Sequence, residues 1–383
     1  MARARSFYDK YARDLTAEDV GRLFTRDTPD AYRYFVRGFD AEALKHLPWY
    51  KRWFRQGRHF LIAFSLRLSP VRRAMFAISI VFALIGLIRL FSGFHLVDTP
   101  FGTPFFRILV PGPTWVEGTI PLLLSILVAY VLIMLEVADR LSLKGDLEVA
   151  REIQQAMLPS GTFRRPTVLA SGLSRPANTV GGDFFDILPL PDGRVVVALG
   201  DVAGKGSPAA LLMALLLAML RTLVDEGLPP SALVERLNAQ IWRHSPPSRF
   251  ITLFFGVFDP ATGELTYVNA GQNPPLVRRT SGTFERLGAT GVALGMFDRS
   301  TYDARTTHID PDELVILYSD GITDAEDPKG QPFEETGLER TIEAGPLNDP
   351  AELGAAVLKA VERHAHDTRL GDDLTILILR RSI

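Results

Sequence analysis

The chain has 383 residues, 47% of them hydrophobic and 22% charged, and no cysteine. That excludes disulfides, thiolate-bound zinc and a cysteine nucleophile, so any metal here takes oxygen or histidine ligands. The formal net charge of −2 conceals a division: residues 1–73 carry 16 Lys and Arg against 8 Asp and Glu, and residues 140–383 carry 24 against 32. The two ends face different partners, and the acidic C-terminal part offers no basic patch to a nucleic acid.

Residues 1–70 lack the charged start, short apolar core and cleavage site of a secretory signal. Residues 46–73 hold seven Lys and Arg and no acid, interleaved with Trp49, Tyr50, Trp53, Phe54 and Phe60. That mixture fits residues 1–73 as a cytoplasmic, membrane-proximal region, with rings at the interface and basic groups on anionic headgroups. Two apolar runs follow, at about 74–94 and 118–135, the first interrupted by Arg89. At 1.5 Å rise per residue, about 20 residues cross a hydrocarbon core of roughly 30 Å, so residues 74–135 are expected to form two transmembrane helices joined by a short external loop. Arg72 and Arg73 precede the first span, and Arg140 and Lys144 follow the second. The positive-inside rule then places both termini in the cytoplasm of a cell inner membrane.

Residues 136–159 read as a linker helix stopped by Pro159 and Gly161. Leu143, Leu147, Ala150 and Met157 fall at coiled-coil spacing with Gln154 in the remaining seam position, which suits either a parallel homodimer or a helix docked on its own domain. Residues 160–383 form the fourth region. Residues 187–199 are an apolar run broken once, by the turn Pro191-Asp192-Gly193 and the Arg194 that follows it, so they read as a hairpin that brings Asp183 and Asp201 side by side. The run 207–226 is long and apolar enough to be a further span, but it directly follows Asp201 and is expected to cover a sheet. A helix at 229–243, strands at 250–258, 264–269, 276–279, 302–308 and 313–318, helices at 333–344 and 350–366, and a strand at 374–380 complete an α+β domain.

Two more acidic turns come late: Ser319-Asp320-Gly321-Ile322-Thr323-Asp324 after one strand, and Gly371-Asp372-Asp373 before another. Asp beside Gly is ordinary turn chemistry. Four strand ends that all carry aspartate fit an all-oxygen site for hard divalent cations, Mn²⁺ or Mg²⁺.

At these residues the chain resembles the PPM-type metal-dependent serine/threonine phosphatases, in their bacterial SpoIIE-like branch. The resemblance covers about residues 147–383 and six ordered motifs: 148–159, 181–186, 200–206, 250–275, 319–324 and 371–375. Gly181-Gly182-Asp183-Phe184 also resembles the GGDEF signature of diguanylate cyclases, but there the fourth position is acidic. The resemblance implies two antiparallel sheets packed face to face with helices outside each, an α-β-β-α sandwich. It implies that Asp201 bridges two cations, with the Val202 carbonyl, Asp183, Asp320 and Asp372 completing the ligands. Consecutive side chains entering a strand point to opposite faces, so one of Asp372 and Asp373 is expected to bind, and the family pattern favours Asp372. Asp186 would support the ligands from behind, and Asp324 matches a third, weaker metal position. The implied reaction is hydrolysis of phosphoserine or phosphothreonine without a protein nucleophile, on a phosphoprotein such as an anti-sigma-factor antagonist, by a dimerising enzyme. Two positions depart from the pattern: Ala203 stands where eukaryotic relatives have a histidine, and Gln272 replaces the histidine usual in this branch. Rival readings are a diguanylate-cyclase-like enzyme and a non-catalytic pseudophosphatase scaffold.

Overall fold

The computed structural model describes residues 70–98, 109–113, 115–159, 162–246, 249–366 and 370–382, with single positions between 48 and 69. Trp49, Tyr50, Trp53, Phe54 and Phe60, which carry the membrane-surface expectation, lie outside these residues. The chain divides into two compact units, Met1–Leu141 and Ser142–Ile383.

In the first unit, helix α1 (Pro70–Phe91) opens on a proline, tolerated there because the first amides of a helix have no intrahelical partner. Strands β1 (Phe94–Asp98) and β2 (Leu109–Pro113) pair antiparallel, and helix α2 (Trp115–Met157) follows. Sequence reading treats residues 95–117 as an irregular loop, since Pro111, Gly112 and Pro113 are poor strand formers. The pairing Phe94↔Pro113 to Asp98↔Leu109 instead closes the loop into a hairpin. The stretches Pro70–Phe91 and Glu117–Asp139 are long and apolar enough to cross a membrane. In lipid no hydrophobic drive joins two helices, so close approach and polar contacts must do it. Both are present. A Cβ on Gly118 would lie 2.7 Å from the Gly86 carbonyl oxygen, and one on Gly86 would lie 2.6 Å from Leu122. Ser125 Oγ donates to the Ser79 carbonyl at 2.8 Å, with the reciprocal bond at 3.1 Å. Arg89 pairs with Glu117 at 3.3 Å, and Arg72 with Glu136 and Asp139 at 3.2 and 2.7 Å. Helix α2 is unbroken across residue 136, so the second apolar span and the linker are one element.

The second unit is an α-β-β-α sandwich, as expected. Its strands are β3 (Thr162–Arg165), β4 (Val168–Arg175), β5 (Phe184–Pro189), β6 (Val195–Val202), β7 (Ile251–Phe258), β8 (Glu264–Ala270), β9 (Leu276–Arg278), β10 (Phe284–Arg286), β11 (Arg305–His308), β12 (Leu314–Tyr318) and β13 (Leu374–Arg381). They form antiparallel sheets in the orders β10-β9-β12-β13-β4-β3 and β11-β8-β7-β6-β5. The facing surfaces bury Phe185, Val197, Leu199, Phe254, Leu317 and Leu377. Helices α3 (Ser207–Asp225) and α4 (Pro230–His244) cover the outer face of the five-stranded sheet through Leu216, Leu220 and Leu237 against Ala198 and Phe255. Helix α6 (Glu334–Glu343) and helix α7 (Pro350–Ala365) cover the other sheet through Leu338 and Val357 against Ile316 and Ile378. Burial on both faces explains the near-continuous apolar strands. It also settles helix α3: long and apolar enough for a span, it buries Leu212, Met213, Leu216, Leu217 and Leu220 on the sheet.

Strands β3 and β4 escape sequence reading because Ser171, Gly172 and Ser174 are weak strand formers. Yet β4 pairs along its whole length with β13. Gly172 is required there, since a Cβ would lie 2.2 Å from the Phe185 ring packed across the sandwich.

Candidate metal centre

Strand pairing assembles the acidic residues at one end of the sandwich. The register Phe184↔Gly200 sets Asp183 beside Asp201 across the β5–β6 hairpin, and Asp201↔Thr252 ties that end to β7. In the other sheet, Tyr318↔Ile376 aligns the end of β12 with the start of β13. The Ser319 amide donates to the Thr375 carbonyl at 2.9 Å, the Thr375 amide donates to Ser319 Oγ at 3.0 Å, and Ser319 Oγ donates to the Asp373 carbonyl at 3.1 Å. These bonds lock the backbone of Asp320, in the short helix α5 (Asp320–Thr323), to the turn bearing Asp372.

Asp183 is 4% exposed, and its Oδ2 is buried without a hydrogen-bond partner. Burial first, and then the charge of Asp201, push its carboxyl well above the usual range, while Ser319 and Thr375 pull it down. Asp201 is pushed up to about 6 by burial, with repulsion from Asp320 next. Asp320 is raised by burial and by the charges of Asp372 and Asp324. Asp372 pairs with Lys205 at 2.9 Å. Among the described residues, no three acidic or histidine side chains close into a ready-made cage. The donor chemistry nevertheless fits: four carboxylates from two sheets, a partnerless buried oxygen, and the Val202 carbonyl facing the same glycine as Asp201 Oδ1 are all hard ligands.

Asp373, six per cent exposed, spends its carboxylate on backbone amides beside the cluster. It accepts from the amides of Ala177 at 2.8 Å, Gly182 at 2.7 Å and Asp183 at 3.4 Å, and so anchors the backbone in front of Asp183. Both glycines of the motif are needed for close approach: a Cβ on Gly181 would meet Asp373 Oδ2 at 2.2 Å, and one on Gly182 would meet Asp201 Oδ1 and the Val202 carbonyl at 2.9 Å. Asp324 caps the end of helix α5 beside Thr323. Asp186 lies apart from the cluster, ion-paired with Arg221 Nε at 2.7 Å. Arg221 also donates through Nη2 to the Met157 carbonyl at the end of α2, at 2.7 Å.

Gln154 follows the docked-helix alternative that the heptad pattern leaves open. Rather than facing a second helix, it is buried against its own domain, where Nε2 donates to the Gly181 carbonyl at 2.8 Å and Oε1 accepts the Gly181 amide at 3.1 Å. An amide side chain carries a donor and an acceptor at the spacing of a peptide edge, so it can satisfy both groups of one residue. Leu147, Ala150 and Met157 line a groove of about 280 Å³ with Ser207, Ala210 and Leu211 on that same side. A glutamine in an otherwise apolar seam was the available signal for this contact.

The electrostatics set a pH dependence. Asp201 titrates at about 6 in the fold against an ordinary 3.8, so its protonated form favours folding. The stability it contributes is complete below about pH 4 and is lost as pH rises through about 6. Metal-stripped protein is therefore expected to melt a few degrees higher at pH 5 than at pH 7.5, and saturating Mn²⁺ should reverse the order by favouring the ionised carboxylates. Calorimetry of the full chain in detergent checks this, and an unchanged order on adding Mn²⁺ would contradict the assignment.

Comparison with known proteins gives the family and the fold. The family model described as Stage II sporulation protein E (SpoIIE) matches residues 191–382. Protein IcfG of Synechocystis sp. is 31% identical over 278 residues, 66% of this chain and 44% of its own length. Phosphoserine phosphatase RsbU of Bacillus subtilis is 27% identical over 242 residues, 63% of this chain and 71% of its own. The chain thus spans less than half of IcfG. Among solved structures, the SiaA-PP2C domain of Pseudomonas aeruginosa superposes with a TM-score of 0.56 at 22% identity, covering 63% of this chain and 98% of that domain, a likeness of fold. With the matched segment running from the β5–β6 turn to the end of β13, through Asp201, Asp320 and Asp372, the chain belongs to the SpoIIE family.

Proposed function

We propose that the chain is a membrane-anchored phosphatase that hydrolyses phosphoserine or phosphothreonine on a signalling protein, with two divalent cations, Mn²⁺ or Mg²⁺, as cofactors. The observation that carries this reading is the convergence of Asp183, Asp201, Asp320 and Asp372 from both sheets around a buried, partnerless carboxylate oxygen. When bound, the cations supply Lewis-acid chemistry: charge neutralisation at phosphorus and an acidified water. Asp201, which feels the charges of both Asp320 and Asp372, would be a principal holder of the ions. Asp183, Asp320, Asp372 and the Val202 carbonyl complete the set, with Asp324 available to a third ion. Asp373 holds the Gly182 and Asp183 amides so that the Asp183 carboxylate keeps its direction. Ala203 presents no proton donor where some relatives have histidine, so the leaving alkoxide takes its proton from solvent.

The substrate reading follows the relative named as a phosphoserine phosphatase, and an anti-sigma-factor antagonist is the class of protein we favour. Both termini are assigned to the cytoplasm from the flanking Arg and Lys residues, with residues 74–135 as the membrane hairpin, 136–159 as the linker and 160–383 as the catalytic domain. The exposed apolar side chains Val149 and Ile153 beside the linker groove support a homodimer through α2. Because α2 is one helix from the second apolar span to Gln154, we assign the membrane hairpin a regulatory role as well as an anchoring one.

The full chain in nanodiscs is expected to hydrolyse p-nitrophenyl phosphate and a phosphoserine peptide with Mn²⁺, to stop on chelation, and to make no cyclic dinucleotide from GTP. No hydrolysis of either ester in excess Mn²⁺ would leave the scaffold reading in place of this one.

A further inference from the structure

Besides Asp373, one buried side-chain amide links the two sets of acidic strand ends across the sandwich. Gln272 is 6% exposed and follows β8. Its backbone amide donates to Asn269 Oδ1 at 2.8 Å, and Asn269 Nδ2 donates in turn to the Leu287 carbonyl at 3.1 Å, which fixes the turn that carries it. Its side chain reaches across the sandwich. Oε1 accepts from the Thr252 hydroxyl, and Nε2 donates to the Tyr318 carbonyl at 3.2 Å. Thr252 Oγ1 accepts the Asp201 amide at 3.3 Å, and Tyr318 stands two residues before Asp320. The result is a directed relay from the Asp201 amide through the Thr252 hydroxyl and the Gln272 amide to the Tyr318 carbonyl, with each hydrogen bond polarising the next. The side-chain orientation is unambiguous, because a flipped amide would set Oε1 against the Tyr318 oxygen, acceptor on acceptor.

We infer that Gln272 is a positioning residue that sets the separation of Asp201, from one sheet, and Asp320, from the other, and thereby the capacity of the site to hold two cations at once. The inference rests on the metal reading of this site. Burial explains why a glutamine serves at a position where a charged or solvated group would not. It is neutral at every working pH, and it offers one acceptor to a hydroxyl on one sheet and one donor to a carbonyl on the other. A neutral imidazole offers the same pair, whereas an aliphatic side chain of similar volume offers neither.

The test uses the full chain in detergent with Mn²⁺ alone and with p-nitrophenyl phosphate. Gln272→Leu is expected to weaken Mn²⁺ binding by calorimetry at least about 10-fold, as loss of groups that orient metal ligands commonly does. It should also remove the exchange-coupled two-Mn²⁺ signal from the electron paramagnetic resonance spectrum and lower kcat about 10- to 100-fold, with KM nearly unchanged. Gln272→His should stay within a few-fold of the parent. Thr252→Val should reproduce the Leu variant, and the double variant should be no worse than the weaker single one, because both break one relay. If Gln272→Leu fails to fold, Thr252→Val carries the test. Wild-type Mn²⁺ binding in the Leu or Val variant, or an equal loss in the Leu and His variants, overturns the inference. A parent protein that binds two Mn²⁺ but hydrolyses nothing would instead sink the phosphatase reading, and the Mn²⁺ measurements would still report on Gln272.

Discussion

Asp201→Asn is expected to lower kcat on p-nitrophenyl phosphate by about 1,000-fold or more, because a carboxylate that would hold the cations is lost and Lewis-acid stabilisation is worth several kcal/mol. The same variant should fold well. Asp201 is raised to about 6 by burial and by Asp320, so a neutral amide removes a repulsion that the metal-free fold has to sustain. Asp320→Asn should behave alike. Asp186→Asn gives the contrast: that side chain faces Arg221 rather than the cluster, so the change should lower the melting temperature while leaving Mn²⁺ affinity within a few-fold. Activity, calorimetric Mn²⁺ titration and thermal melts on the three variants read this out. Equal losses of Mn²⁺ binding in all three would refute the division of roles.

Gln154→Ala should cost about 10- to 100-fold in turnover, although Gln154 lies on the linker helix and outside the cluster. Its loss strips the Gly181 amide and carbonyl of their partners in a buried setting, at roughly 1–3 kcal/mol for each unsatisfied group, and Gly181 lies two residues before Asp183. The segment would shift to find other partners and take the Asp183 carboxylate with it. Arg221→Met, which frees the Met157 carbonyl and Asp186 together, should act in the same direction. The two contacts flank Asp183, one ahead of β5 and one within it, so the end of the linker helix grips this strand at two points. The informative comparison sets the full chain in nanodiscs against a fragment beginning at residue 147, each with and without Gln154→Ala. Wild-type turnover and Mn²⁺ affinity in every sample would show that the helix only tethers the domain.

Much of this was legible in the chain. The Asp183–Asp201 pairing follows from two apolar runs about a Pro-Asp-Gly turn, whereas the strand rule says only that Asp372 and Asp373 face different ways, and the choice between them comes from the family resemblance. What stayed hidden depends on long-range partners. Asp373 looks like a spare ligand until its three amide donors, nearly two hundred residues earlier, are seen. Gln154 occupies a heptad position, and periodicity gives the face of a helix without naming what covers it. Gln272 stands out as a departure, but Thr252 and Tyr318 belong to strands of different sheets. Strand β4 escapes because its glycine answers to the Phe185 ring it accommodates rather than to strand preference.

The contact between Gly181 and Asp373 bears on how such a chain can vary. A Cβ at 181 would sit 2.2 Å from the Asp373 carboxylate, and that carboxylate holds the two amides that follow Gly181. Neither residue can change alone: alanine at 181 displaces the carboxylate, and an apolar residue at 373 strands the amides. The two positions, at opposite ends of the domain, therefore behave as one heritable unit, and a lineage that loses one should be found to have lost the other, together with the aspartate they steady.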